Sequence, residues 1–210
     1  MELIAISLSG RQTLEFQGRR AETGICKQIV DGPVRVTADG IDGDVQVDRA
    51  NHGGADKAVY AYAVENYRHW ERELGRALAY GQFGENLAVS GLTDDLVHIG
   101  DVFRIGPVEC QVTQPRVPCF KLGMRMEDPE FVGRFHHSGR VGFYLRVLNE
   151  GLLTPGDRIE RLREDPGQLS VRDAMLALNK NPRQQDIIRR ALAIPALSQA
   201  WRDSLRKKQS

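Results

Sequence analysis

The strongest constraint on how this chain can fold is a rhythm of short apolar runs cut repeatedly by glycine and proline turns. Ile4, Ile6 and Leu8 alternate with less apolar neighbours, the pattern of a half-buried strand. Similar runs follow at residues 25–30, 34–37, 59–62, 87–89, 102–105, 108–113 and 141–148. Turn signals separate them: Asp31-Gly32-Pro33, Asp42-Gly43-Asp44, Gly100-Asp101, Gly106-Pro107 and Pro155-Gly156-Asp157. Strands this short and this often interrupted are predicted to fold over or close on themselves, giving a mainly β domain over residues 1–163. One helix interrupts them between Val64 and Leu78, with Tyr67, Trp70, Leu74 and Leu78 near helical spacing. Asp128-Pro129 opens a shorter one, because Asp caps a helix and Pro suits its first position.

After Arg163 the character changes. Glu164-Asp165-Pro166-Gly167 reads as a linker, and three short helical patterns follow at 171–178, 183–192 and 196–206. Ser170 is placed to cap the first, and Leu197, Trp201 and Leu205 fall on one face of the last. Residues 167–210 are therefore expected to form a small three-helix bundle, marginal on its own. Hydrophobic residues make up 41% of the 210, so wholesale disorder is excluded. The net charge of +1 gives the whole chain no pull toward nucleic acid or membrane, but its distribution is uneven. Residues 167–210 hold nine Lys/Arg against three acids, a charge of +6, which leaves −5 on residues 1–166. No basic segment precedes the first apolar stretch, and no run approaches the roughly 18 apolar residues of a membrane span. The three cysteines, Cys26, Cys110 and Cys119, form no CxxC pair, which argues against structural zinc and disulfides and for a cytoplasmic location.

Four short segments carry chemistry. In Gln114-Pro115-Arg116-Val117-Pro118-Cys119-Phe120-Lys121, two prolines stop the preceding strand and stiffen the loop that carries Cys119. Arg116 and Lys121 flank the thiol and favour a thiolate, a soft donor for a metal or a nucleophile. An inert buried thiol fits the same sequence. Cys110 and Cys26 lie in strand-like runs and read as core. In Asn51-His52-Gly53-Gly54-Ala55-Asp56-Lys57, paired glycines expose backbone N–H groups and Lys57 offers a point charge, the parts of an anion cradle or of a plain turn. Gly84-Glu85-Asn86 offers paired hydrogen bonds to a polar heterocycle, and Lys27, in Thr23-Gly24-Ile25-Cys26-Lys27, can direct a charge into a cavity.

Together these segments resemble the MOSC family, and specifically its YiiM-like bacterial subgroup. The matching pieces run in order from Thr23 to Asp157 and include the Pro-Arg-x-Pro-Cys loop, His-Gly-Gly-x-Asp-Lys-Ala-Val and Gly84-Glu85-Asn86-Leu87. The helical tail is similar to the three-α-helix domain that follows MOSC in this subgroup. Ala55 stands where the family pattern leads us to expect Pro, and Ser138–Val141 where a shorter run is expected. The resemblance implies a β-barrel-like fold, a molybdopterin-type molybdenum cofactor, and Cys119 as the protein's ligand to the metal. It implies reduction of N-hydroxylated compounds, such as 6-N-hydroxylaminopurine, to amines, a detoxification, with electrons from a separate flavoprotein reductase. On that reading Lys27, Lys57 and Arg116 hold the cofactor's phosphate, Asn86 and Asp56 read its ring, and His52 assists as a cofactor contact and proton donor. Two alternatives remain: a sulfur carrier or transferase using a Cys119 persulfide, and a nucleic-acid module built on the basic tail. No tail helix presents a contiguous basic and amide-rich recognition face, so the tail reads as a partner-docking or pocket-flanking unit. Nothing in the sequence sets an oligomeric state.

Overall fold

The computed structural model describes residues 1–47, 53–179 and 181–208. The strands are β1 (Glu2–Leu8), β2 (Gln12–Phe16), β3 (Arg19–Thr23), β4 (Gln28–Val30), β5 (Val34–Thr37), β6 (Gly40–Ile41), β7 (Val59–Ala63), β8 (Leu87–Ser90), β9 (Val102–Ile105), β10 (Val108–Pro115), β11 (Phe143–Asn149), β12 (Gly151–Leu153) and β13 (Ile159–Arg163). One eight-stranded sheet runs in the order β13-β9-β10-β11-β7-β8-β1-β4. Its pairs are antiparallel except β7 with β8. A three-stranded sheet (β12-β5-β6) and the β2–β3 hairpin complete the strand set among the described residues.

The mainly β body with a helical tail is as the sequence indicates. The barrel-like expectation needs one refinement: among the described residues no continuous ladder closes the large sheet. Its far strands nonetheless approach one another. Leu3 N–H bonds to Asp157 O at 2.9 Å and Ile159 N–H to Met1 O at 3.0 Å, beside a single bridge between Glu2 and Arg158. The alternation read at Ile4, Ile6 and Leu8 is broken by a bulge between Leu3 and Ala5, so Leu3, Ala5 and Ile6 are buried while Ile4 and Leu8 are only half-buried.

Helix α1 (Val64–Leu74) stops earlier than the periodicity suggests, because Gly75 turns left-handed at φ 65°. Its Trp70 packs with Tyr62, Tyr67, Phe83, Phe131 and Phe135 in one aromatic cluster. Helix α2 (Phe120–Met126) was not visible in the sequence; α3 (Phe131–Ser138) follows Asp128-Pro129 as expected. The tail forms α4 (Val171–Leu176), α5 (Gln184–Ala193) and α6 (Gln199–Arg206), and Ser170 and Ser198 cap α4 and α6. The tail is joined to the body by backbone bonds: Ile99 N–H to Leu169 O, Val171 N–H to Val97 O and Ser198 N–H to Thr113 O.

The turn into β11 rests on a buried carboxylate. Asp94 Oδ1 accepts Val141 N–H (2.9 Å) and Gly142 N–H (2.7 Å), and Asp94 Oδ2 accepts Asn66 Nδ2 (2.6 Å). Gly142 sits at φ 70°, and a Cβ there would lie 2.5 Å from Ala61 O. Gly142→Ala is therefore expected to cost about 2–5 kcal/mol, combining a left-handed backbone of roughly 1–2 kcal/mol with overpacking of roughly 1–3 kcal/mol. Urea denaturation measures it, and a loss below about 1 kcal/mol would show that the turn relaxes freely.

Candidate functional site

Loops from four parts of the chain converge on one open cleft with a cavity volume of about 110 Å³. They carry Thr23–Lys27, residues 44–47, Phe83 to Asn86, and Arg116 to Lys121; Tyr60 of β7 and Tyr144 of β11 form a wall, and Lys57 joins them. Gly24 is needed for this convergence, since a Cβ there would lie 2.2 Å from Val45 O.

Cys119 lines the cleft half-buried, in extended backbone at the start of α2. β10 ends at Pro115, which lacks the N–H to continue the ladder, so the thiol stands four residues beyond the strand end. Cys110 is buried in β10, and burial pushes its thiol up to about 12. Cys26 is also buried. The core reading of both therefore holds.

Arg116 is the decisive side chain. It is 5% exposed, and its backbone N–H bonds to Gly142 O at 3.1 Å. Its Nη2 donates to Phe83 O at 3.4 Å, and its guanidinium lies 5.6 Å from the Tyr60 ring. Its buried Nη1 has no partner among the described residues. A buried cationic donor left unsatisfied is costly, and an anionic or carbonyl ligand oxygen would relieve it. Gln46, which the motif reading missed, adds an acceptor: Nε2 donates to Lys57 O at 3.2 Å, which fixes the amide, and buried Oε1 has no partner among the described residues. Nothing in the local sequence singles out this glutamine.

The remaining expected residues divide. Lys27 lines the cleft, but its Nζ lies 2.5 Å from Asp44 Oδ1, and both side chains are under a tenth exposed. Burial lowers the Lys27 pKa and Asp44 opposes that shift. Asn86 is committed elsewhere: its Oδ1 accepts Tyr60 N–H (3.1 Å) and its Nδ2 donates to Asp44 Oδ2 (2.9 Å). Glu85 is fully buried and accepts Gly81 N–H (2.6 Å), Phe83 N–H (3.1 Å) and the Tyr67 hydroxyl, so it shapes the turn that presents Phe83 and Gly84. Lys57 lines the cleft from the 3₁₀ turn Ala55–Lys57. Its neighbour Asp56 is not among the lining residues; Asp56 Oδ1 pairs with Arg146 Nη2 at 2.5 Å and Oδ2 accepts Gln199 N–H at 3.2 Å. His52 lies outside the described residues. The structure thus brings Lys27, Lys57, Asn86, Arg116 and Cys119 together and leaves Asp56 behind the cleft.

These residues fit a phosphate-bearing metal cofactor. Arg116 Nη1 and Lys57 suit phosphate oxygens, and Cys119 offers one soft donor. Among the described residues no three His, Cys, Asp or Glu cluster as a metal site, so a metal at Cys119 needs further donors from the cofactor itself.

The chain is similar to known proteins over most of its length. The MOSC domain matches residues 48–160, and a YiiM-like, 3-alpha helix domain matches residues 169–208. The protein YflK of Bacillus subtilis (strain 168) is 42% identical over 206 residues, covering 98% of this chain and 93% of that one. A protein named "Reductase" from Gibberella moniliformis is 35% identical over 167 residues, 78% of this chain but 30% of that protein. The crystal structure of YiiM from Geobacillus stearothermophilus is similar at a TM-score of 0.83 and 30% identity, covering 100% of this chain and 99% of that one. Among the described residues no helix is long and apolar enough to cross a membrane.

The Lys27–Asp44 pair gives a direct test of how the cleft is held. Lys27→Met would strand the Asp44 carboxylate in a buried site, at about 3–5 kcal/mol. Guanidinium denaturation should show that loss, with part of it recovered in the double variant Lys27→Met, Asp44→Asn. A Lys27→Met protein as stable as wild type would mean that the pair carries no weight in the fold.

Proposed function

Because the chain belongs to the MOSC domain family, with a YiiM-like 3-alpha helix domain after it, we propose that it is a molybdenum-cofactor-dependent reductase of N-hydroxylated compounds. The observation that carries this reading is the juxtaposition, in one cleft, of the Cys119 thiol with a buried guanidinium, Arg116, that lacks an acceptor for Nη1 among the described residues. The relative named "Reductase" supports the reaction class. A bound molybdenum–pterin group would supply the two-electron redox chemistry.

The chain's own residues hold and shape the site. Cys119 ligates the metal from a loop stiffened by Pro115 and Pro118. Arg116 and Lys57 bind the phosphate, with Lys121 on the same wall. Lys27 offsets Asp44 and adds little net charge. Tyr60, Phe83 and Tyr144 supply an aromatic wall that excludes water from one side. Burial raises the Tyr144 and Tyr60 hydroxyl pKa values despite Arg116 nearby, so both remain neutral donors at physiological pH. The substrates are N-hydroxylated bases such as 6-N-hydroxylaminopurine, and a flavoprotein reductase supplies the electrons.

Protein made in a host that synthesises molybdopterin should contain about one molybdenum per chain, since one soft-ligand loop serves the cleft. Metal-free protein with full hydroxylamine-reducing activity, or a Cys119 persulfide without metal, would overturn the reading. Cys119→Ser should abolish turnover and leave the melting temperature near wild type, because Ser is nearly isosteric but a harder donor. Cys110→Ser should do the reverse, since it buries a hydroxyl in β10 at roughly 1–3 kcal/mol. Lys57→Ala should lower cofactor occupancy by about 10–100-fold, the loss of one charge-assisted bond. Wild-type occupancy and activity in that variant would assign Lys57 to the fold alone.

A further inference from the structure

The helical tail grips the two segments that carry the cleft's thiol and cations. Ser198, fully buried ahead of α6, donates its hydroxyl to Gln114 Oε1 at 2.6 Å, and its backbone N–H bonds to Thr113 O at 3.1 Å. Gln114 is itself buried, two residues before Arg116 and five before Cys119. The next tail residue, Gln199, gives its N–H to Asp56 Oδ2 at 3.2 Å. Asp56 is held on two further sides. Its Oδ1 pairs with Arg146 of β11, and its backbone O accepts the Thr113 hydroxyl at 2.6 Å. Lys57 follows directly in the chain. One small network thus ties α6, β10, β11 and the 3₁₀ turn together behind the cleft.

We propose that Asp56 and Ser198 are positioning residues that set the distance between Lys57 and the Arg116–Cys119 loop, and that the three-helix tail is thereby part of the cofactor site. The proposal rests on the molybdenum-cofactor reading above. The physical argument is that outer partners fix the rotamers and loop positions of first contacts, and that such partners are typically worth 10–100-fold in affinity. A carboxylate at the N-terminus of α6 also suits the helix dipole, so Asp56 holds the tail and the turn at once. The basic tail is less free for docking than its charge suggests. Arg202 bonds to the carbonyls of Leu192, Ile194 and Leu197, and Arg190 to those of Gly167 and Gln168.

The test uses the full chain with Asp56→Asn, Ser198→Gly and Ser198→Thr. Asn keeps one acceptor for Arg146 and weakens the bond to Gln199; Gly is tolerated as a helix cap but has no hydroxyl for Gln114; Thr keeps the hydroxyl. Asp56→Asn and Ser198→Gly should lose cofactor about 10–100-fold more readily on dialysis, read as molybdenum and pterin per chain. The fraction still loaded should show a shifted Mo(V) electron paramagnetic resonance line, and Ser198→Thr should restore the wild-type line. In cofactor-free protein, Asp56→Asn should also change the rate at which iodoacetamide alkylates Cys119, with the melting temperature nearly unchanged. Wild-type retention, line shape and alkylation rate in both Asp56→Asn and Ser198→Gly would overturn the proposal. A wild-type protein that binds no molybdenum would overturn the functional reading instead, while the alkylation arm would still decide whether Asp56 positions the thiol loop.

Discussion

A carboxylate placed out of water must be surrounded by donors, and Asp44 imposes that requirement on the whole cleft. Its oxygens take Lys27 Nζ at 2.5 Å, Ser9 N–H at 2.9 Å and Asn86 Nδ2 at 2.9 Å. Those donors come from the loop before β4, the end of β1 and the start of β8. Asn86 then passes the constraint to β7 through Tyr60 N–H. Each partner is costly to remove because a buried charge would be left behind. Four separate stretches are therefore drawn to one place by a single electrostatic demand, and the cleft is the space left between them.

Against this neutralised base, Arg116 is the charge whose Nη1 donor finds no partner among the described residues. The body as a whole is acidic, yet the cleft presents Arg116, Lys57 and Lys121 beside Cys119. Local cations attract an anionic ligand, whatever the net charge of the domain. The fully buried thiol of Cys110, by contrast, is held in its neutral form and is chemically quiet. Placement within one strand and its following loop buries one sulfur and sets the other, half-buried, on the cleft wall.

Much of the fold was legible. The alternating runs at 34–37, 59–62, 102–105 and 108–113 fall in strands β5, β7, β9 and β10, and Ser170 caps the first tail helix as expected, whereas the last helix begins at Gln199 behind Ser198 and not at the expected 196. The β2–β3 hairpin was missed because Gln12–Phe16 and Arg19–Thr23 are mostly polar and exposed, so no apolar period marks them. Helix α2 was missed because Phe120–Met126 follows directly on a proline-rich loop and is too short for a helical period to emerge. Of the expected site residues, Lys27, Lys57, Asn86, Arg116 and Cys119 do line one cleft. Asp56 does not, because Arg146, 90 residues away in sequence, takes its carboxylate.

What the sequence determined by itself was local: where strands stop, where helices start, and which loop holds a stiffened thiol. Pro115, Pro118, Gly75 and the capping serines act through backbone geometry and hydrogen bonds within a few residues, so their effect is written in neighbouring letters. Only the tertiary structure decided which polar groups are committed and which face the cleft. Asn86 bonds to Asp44 across 42 residues, and Ser198 to Gln114 across 84. A side chain's hydrogen-bonding capacity is fixed by its chemistry, but its availability depends on a partner that folding brings from far along the chain.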